Sequence, residues 1–257
     1  MSAELPTVVL VPGAWTAPAA FHKLVNVLEA KGFTAHAPAL PTNNGHRPPD
    51  TSFDDDVQAV RQVVQRLVKE EGREVIVFMH SYGGVVGTTA LRGLTRQDRE
   101  TQNLPGGVVH LLYAAAFLLA LHQSIRTVVQ TVNLPGREGL VQFADDGTWF
   151  PTDPVALLYP DLDPDDQEEQ RRLLQWGNAA ILTGNTAYEA WRDVPVLYVR
   201  VTEDPWLPPE FQDFCVRNAE EAGVAIRTAA LPSAHSPYVN FASELAEMVV
   251  QIANSST

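Results

Sequence analysis

The stretch Val75-Ile76-Val77-Phe78-Met79-His80-Ser81-Tyr82-Gly83-Gly84 constrains this chain more than any other. An apolar run rich in β-branched residues ends in a serine, and two glycines and a helix-like segment follow. The pattern reads as a buried strand turning sharply into a helix, with Ser81 at the apex. Such a turn lifts the hydroxyl above the sheet edge and aims it at a helix N-terminus, where backbone N–H groups can stabilise developing negative charge. Gly83 suits the turn because a Cβ there would crowd the preceding strand. Taken alone, the same letters also describe an ordinary strand-to-helix joint with Ser81 as N-cap. Met79 stands where G-x-S-x-G has its first glycine, so the rest of the chain has to decide.

The flanking segments supply a sheet for that strand. Thr7–Val11 is a continuous apolar run of the kind buried on both faces of a parallel sheet. An amphipathic helix over 17–31 closes at Gly32, a short strand covers 33–37, and 38–50 is a loop rich in Pro, Asn and Gly. Thr51 or Ser52 caps a helix that ends at about Glu71; Asp54, Asp55 and Asp56 in its first turn complement the helix dipole rather than form a metal site. After Ser81 a helix runs to about Leu94, a polar loop spans 95–107, and a strand over 108–113 continues into Ala114-Ala115-Ala116-Phe117. This strand–helix alternation calls for a parallel sheet with helices on both faces and a ligand site beyond the strands' carboxyl ends. Over 118–192 the alternation breaks in a segment rich in aromatic residues, which reads as a mainly helical cap inserted over the active face. It resumes with a strand at 195–201, a helix at 208–222, a strand at 224–230 and a last helix to about Asn254. The expected fold is α/β, with a mostly parallel six-stranded sheet. Residues 1–117 and 193–257 form its core, 118–192 its cap, and the whole is one structural domain.

Composition removes several function classes. A 45% hydrophobic share with 19% charged residues builds a sizeable core and argues against disorder. A net charge of −13 with no basic patch disfavours nucleic acid and anionic membrane as partners. The acidic run over 161–169 reads as a solvated helix start. Cys215 is the only cysteine, so no intrachain disulfide forms. The polar opening MSAE carries no signal-peptide pattern and no apolar run reaches membrane-spanning length, so the expected location is cytoplasmic. A small-molecule substrate is the expected partner, and a homodimer is compatible with the sequence.

Nucleophilic catalysis by serine needs a base, an orienting acid and N–H donors for the oxyanion. His235 follows the last strand in a loop of small residues and proline, and is the candidate base. His22, His122 and His46 lie away from strand ends, His36 and His110 lack a partner acid, and His80 should project to the opposite side of its strand from Ser81. Asp204 directly follows a strand, whereas Glu203 projects the other way. The Ala14 N–H, in the Pro12-Gly13-Ala14 turn, and the Tyr82 N–H are the candidate oxyanion donors. No cofactor or metal is expected. Gly83 to Gly87 lacks dinucleotide spacing, and Asp161-x-Asp163-x-Asp165 has Asp166 where a calcium loop needs glycine. One cysteine gives no zinc pattern.

On Val11-Pro12-Gly13-Ala14-Trp15, His80-Ser81-Tyr82-Gly83-Gly84, Thr202-Glu203-Asp204 with Leu207-Pro208-Pro209-Glu210-Phe211-Gln212, and Ala234-His235-Ser236-Pro237, the chain resembles the α/β-hydrolase superfamily. It looks closest to the branch of plant methylesterases and hydroxynitrile lyases with their fungal and bacterial relatives, which lacks the first two strands of the larger fold. The order Ser81, Asp204, His235 is the one that family uses. Pro12 and Met79 stand where the family usually has histidine and glycine, and Ser236 replaces the lysine of hydroxynitrile lyases. The resemblance implies a serine hydrolase acting on an ester or lactone of a small to medium apolar compound. Trp15, Tyr82, Phe117 and Trp206 would shape its pocket. The same site could instead serve C–C bond hydrolysis or a cyclisation, aldol or elimination step, and a ligand receptor on a hydrolase scaffold is a further reading.

Overall fold

The computed structural model describes residues 4–133, 136 and 138–255; residues 1–3 of the polar opening and positions 134, 135 and 137 of the 118–192 segment lie outside the described residues. The first part of the chain comprises β1 (Thr7–Val11), α1 (His22–Ala30), β2 (Ala35–His36), α2 (Phe53–Gln65), β3 (Glu74–His80), α3 (Gly83–Ala90), α4 (Arg96–Glu100) and β4 (Gly107–Ala114). There follow α5 (Ile125–Val132), β5 (Val141–Phe143), β6 (Thr148–Pro151), α6 (Pro154–Leu158), α7 (Pro164–Leu173) and β7 (Gly177–Asn178). The chain closes with β8 (Val196–Val201), α8 (Pro209–Glu221), β9 (Ile226–Leu231), α9 (Pro237–Asn240) and α10 (Ala242–Asn254).

Six strands form one sheet in the order β2-β1-β3-β4-β8-β9, and every pairing is parallel. β1 and β4 are buried at every position, and β3 at all but its first. Side chains alternate between the faces of a strand, so both faces of the sheet centre are covered. The cover includes α1 packed on α10 and α2 packed on α3. The register aligns the strand ends, with Val11 beside Met79, His80 beside Ala114 and Val201 beside Leu231. The loops that leave β1, β3, β4, β8 and β9 therefore gather at one sheet edge, the carboxyl one.

Local differences from the sequence reading have local causes. β2 keeps only two of the five residues suggested at 33–37, because it is an edge strand paired to β1 alone. The α2 helix continues through a π-helical turn at Arg66–Glu70, and the chain leaves the helix at Glu71. Within the supposed polar loop at 95–107 lies α4, started by a reciprocal capping box between Thr95 and Asp98. The 118–192 segment is richer in helix than in strand, but β5, β6 and β7 add a three-stranded antiparallel sheet. Strands of two to four residues are too short to show an alternating pattern. None of the described helices is long and apolar enough to cross a membrane.

Candidate active site

Ser81 sits at the turn between β3 and α3 with φ of 54°, a left-handed conformation rare for a residue with a Cβ. Its carbonyl accepts N–H bonds from Gly84 (3.0 Å) and Phe117 (3.1 Å), which fix the turn from both sides. A Cβ on Gly83 would lie 2.5 Å from the Val11 carbonyl oxygen and 2.6 Å from that of Pro12, so the crowding comes from the end of β1 and not from β3. A Cβ on Gly84 would collide with the Phe117 backbone. Met79 is fully buried beneath the turn, and a Cβ on Gly87 would fall 2.5 Å from its sulfur. The bulk at position 79 is thus housed by the missing side chain at position 87.

Three buried side chains from three strand ends meet at the serine. His235 Nε2 lies 3.0 Å from Ser81 Oγ, and His235 Nδ1 lies 2.7 Å from Asp204 Oδ2. The other Asp204 oxygen accepts the Trp206 and Leu207 N–H groups at 2.8 and 2.9 Å, which locks the carboxylate's orientation. Glu203 is exposed, as its position next to Asp204 on the chain suggests. Gln212 holds the turn that carries Asp204: its carboxamide accepts from the Val201 N–H and donates to the Val201 and Leu207 carbonyls.

Two residues hold the His235 loop in ways the sequence does not announce. His80, expected on the far side of its strand, reaches beneath that loop and donates from Nε2 to the His235 carbonyl at 2.8 Å. A carbonyl only accepts, so Nε2 carries the hydrogen. Burial, with the adjacent His235, keeps the His80 pKa well below its ordinary 6.5, so the ring is neutral. The ring lies near Ser81, since a Cβ on Gly13 would sit 3.0 Å from His80 Nδ1 and 2.9 Å from Ser81 Cβ, and strand alternation could not show that a later loop folds over it. Asp161, in the acidic run, accepts from Ser233 Oγ, the Ala234 N–H and Asn240 Nδ2 at 3.2, 2.9 and 2.8 Å. The rest of that run behaves as a helix start, with Asp163 capping α7 and Asp166 paired to Lys23 at 2.6 Å.

The two candidate oxyanion donors flank Ser81. Tyr82 follows it directly, and Gly13, next to Ala14, lies so close that an added Cβ would sit 2.9 Å from Ser81 Cβ. Among the described residues neither the Ala14 nor the Tyr82 N–H has an acceptor within the chain. Asn43, from the loop at 38–50, grips the turn around Ala14: its amide donates to the Gly13 carbonyl (2.9 Å) and its carbonyl oxygen accepts the Trp15 N–H (2.9 Å). Trp15 has φ of 63°.

Beside this group lies a cleft of about 320 Å³, walled by Phe117, Ile125, Val129, Phe143, Trp149 and Trp206, with Arg126 and Gln130 also along it. Phe117 and Trp206 therefore line the cleft. Trp15 instead stands behind it, its ring against those of Trp149 and Trp206. The Tyr82 ring is absent from the wall because its hydroxyl turns away to donate to Asp56 at 2.7 Å. A second cavity of about 340 Å³, lined by Glu74, Arg96 and Val108, opens at the other end of the strands, far from this chemistry. Among the described residues no three His, Cys, Asp or Glu side chains gather closely enough to hold a metal ion.

Residues 8–248 match the sequence profile of the alpha/beta hydrolase family. The alpha/beta hydrolase nvfD of Aspergillus novofumigatus is 27% identical over 243 residues, covering 90% of each chain. The pyrethroid hydrolase of Sphingobium wenxiniae is 26% identical over 271 residues, covering 96% of this chain and 88% of its own. The crystal structure of a methylesterase from Arabidopsis shares the fold, with a TM-score of 0.73 over 97% of this chain and 99% of that one at 17% identity. The profile match runs from β1 into α10 and takes in every strand of the sheet together with Ser81, Asp204 and His235; the chain belongs to the alpha/beta hydrolase family.

Proposed function

We propose that the protein hydrolyses a carboxylic ester or lactone of a small to medium apolar compound through an acyl-enzyme on Ser81. The observation that carries this reading is the single line of contacts from Asp204 through His235 to Ser81, at 2.7 and 3.0 Å. In it Ser81 Oγ attacks the carbonyl carbon as its proton passes to His235 Nε2. Asp204, held by two backbone N–H groups, keeps the hydrogen of neutral His235 on Nδ1 and stabilises the imidazolium. The Ala14 and Tyr82 N–H groups receive the oxyanion. The imidazolium then protonates the departing alkoxide; water, deprotonated by His235, attacks the acyl carbon, and collapse releases the carboxylic acid as Ser81 Oγ leaves and takes the proton back from His235.

The cleft supports an apolar substrate, since its volume lies at the small end of ligand sites and aliphatic and aromatic side chains dominate its wall. Eight of its ten lining residues, among them Ile125, Val129, Phe143, Trp149 and Leu182, come from the 118–192 segment, which supports its role as a cap. The pyrethroid hydrolase among the relatives supports hydrolysis as the reaction class.

The test is a panel of esters and lactones turned over by wild type and by Ser81→Ala, with fluorophosphonate labelling and mass spectrometry for acylated Ser81. Ser81→Ala should lose both turnover and label. Undiminished turnover in that variant overturns the reading.

A further inference from the structure

Of the three aspartates that open α2, two behave as helix starts do and one does not. Asp55 completes a capping box with Ser52, and Asp54 is exposed. Asp56, the fourth residue of the helix, is fully buried and accepts three hydrogen bonds. Its Oδ1 takes the Thr42 N–H at 2.9 Å, while Oδ2 takes Thr42 Oγ1 at 2.5 Å and the Tyr82 hydroxyl at 2.7 Å. Both arms lead to the serine. Tyr82 bears one of the two proposed oxyanion amides. Thr42 precedes Asn43, whose side chain bridges the Gly13 carbonyl and the Trp15 N–H on either side of Ala14, the bearer of the other.

We propose that Asp56 is a positioning residue that sets the spacing of the Ala14 and Tyr82 amides, through the Tyr82 hydroxyl on one arm and through Thr42 and the Asn43 bridge on the other. The proposal rests on the reading of those amides as the oxyanion site.

The chemistry of the cluster fits this role better than plain stabilisation. A buried carboxylate is a costly way to join three donors, and here burial pushes the Asp56 carboxyl up to about 6 against the pull of Thr42 and Tyr82. An ionised carboxylate can accept from all three at once, which an amide oxygen with its fixed NH₂ cannot do. The Tyr82 hydroxyl stays protonated, since burial and the neighbouring Asp56 raise its pKa well above 10, so it always donates. The result is a short chain of fixed bonds from one atom group to both proposed donors.

The experiment compares wild type, Asp56→Asn, Tyr82→Phe and the double variant by peptide-level hydrogen exchange and by kcat and KM on an ester. Asp56→Asn should unfold as cooperatively as wild type, yet exchange faster in peptides covering residues 11–17, where Asn43 protects the Trp15 amide. Its kcat should fall on the order of ten- to a hundredfold with KM nearly unchanged, because the oxyanion exists only along the reaction. Tyr82→Phe should show part of that loss, and the double variant no more than Asp56→Asn. Should Asp56→Asn not fold, Tyr82→Phe and Asn43→Ala carry the same exchange and kinetic tests, one for each arm.

Unchanged exchange at 11–17 overturns the proposal, as does a loss carried in KM or faster exchange spread evenly over the chain. A rise in kcat, the sign expected of a merely repulsive charge, also overturns it. The exchange measurement needs no substrate, so it still judges the spacing if Ser81-dependent hydrolysis is absent.

Discussion

Gly83→Ala tests the geometry of the turn with one added carbon. The new Cβ would lie 2.5 Å from the Val11 oxygen and 2.6 Å from the Pro12 oxygen. Ordinary C···O contacts sit at about 3.3–3.6 Å, so the overlap is about 1 Å against two carbonyls. Both belong to backbone where β1 ends, with Val11 still paired to Met79 of β3, and backbone cannot rotate aside as a side chain could. Overpacking of this kind costs about 1–3 kcal/mol, and the upper end applies because backbone has to move. Replacing glycine in a helix returns about 0.5–1 kcal/mol. The net loss is about 2 kcal/mol, which for a chain of this size lowers the melting temperature by roughly 4–8 °C.

Relief of the overlap pushes α3 from the Pro12–Trp15 turn, and with it Ser81 from Ala14. A shift of about 1 Å at a reacting centre can cost about a hundredfold in rate. The assay is thermal unfolding beside the fluorophosphonate labelling rate of Ser81. Gly93→Ala serves as control: it has φ of +74° but nothing within 4 Å of the added carbon, so it should lose some stability and keep its labelling rate. A Gly83→Ala protein with wild-type melting and labelling would refute the reasoning.

Other outcomes follow from single contacts. Asp204→Asn should cut kcat by about 10³–10⁴ with little change in stability, because the two backbone N–H groups claim the amide oxygen and leave the NH₂ facing His235 Nδ1. That forces the hydrogen onto Nε2, which then cannot take the Ser81 proton; a variant of near wild-type kcat would contradict the assignment. Asp56 has a carboxyl pushed from the ordinary 3.8 to about 6, so it binds its proton more tightly folded than unfolded. Its protonation thus favours the folded state below 3.8 by up to about 3 kcal/mol, and that advantage is lost as pH rises through about 6. Relative to Asp56→Asn, wild type should lose that amount between about pH 4 and 6 and nothing further above. Denaturation curves across that range check this, and a pH-independent difference refutes it. Cys215 is fully buried and its thiol is pushed up to about 12, so a thiol reagent should label it only on unfolding. Rapid stoichiometric labelling of the folded protein would count against the packing described around α8.

What could be read from the sequence was whatever had a period or stood at the end of something periodic. β1, β3 and β4 are apolar runs, and Ser81, Asp204 and His235 each follow a strand, so parallel topology alone gathers them at one edge. Asp56 escapes such reading because an acid in a first helical turn is already accounted for by the dipole; only its inward direction distinguishes it from Asp54 and Asp55. Asn43 and Asp161 act through loops whose paths depend on tertiary packing. Trp15 and Tyr82 each adjoin a site residue along the chain, yet a side chain next to a site in sequence need not face it. Trp15 packs behind Trp149 and Trp206, and Tyr82 points its hydroxyl to α2.

Met79 and Gly87 together form one design variable. The space beneath the serine holds a fixed volume of side chain, supplied here wholly from the strand side of the turn, whereas the usual signature empties that side. Engineering at either position therefore has to be reciprocal: trimming residue 79 opens a void that a methyl at 87 could refill, and enlarging 87 first requires a smaller 79. A search that demands glycine two places before the nucleophile passes over chains built this way, whereas one that scores the summed volume of the two positions would retain them.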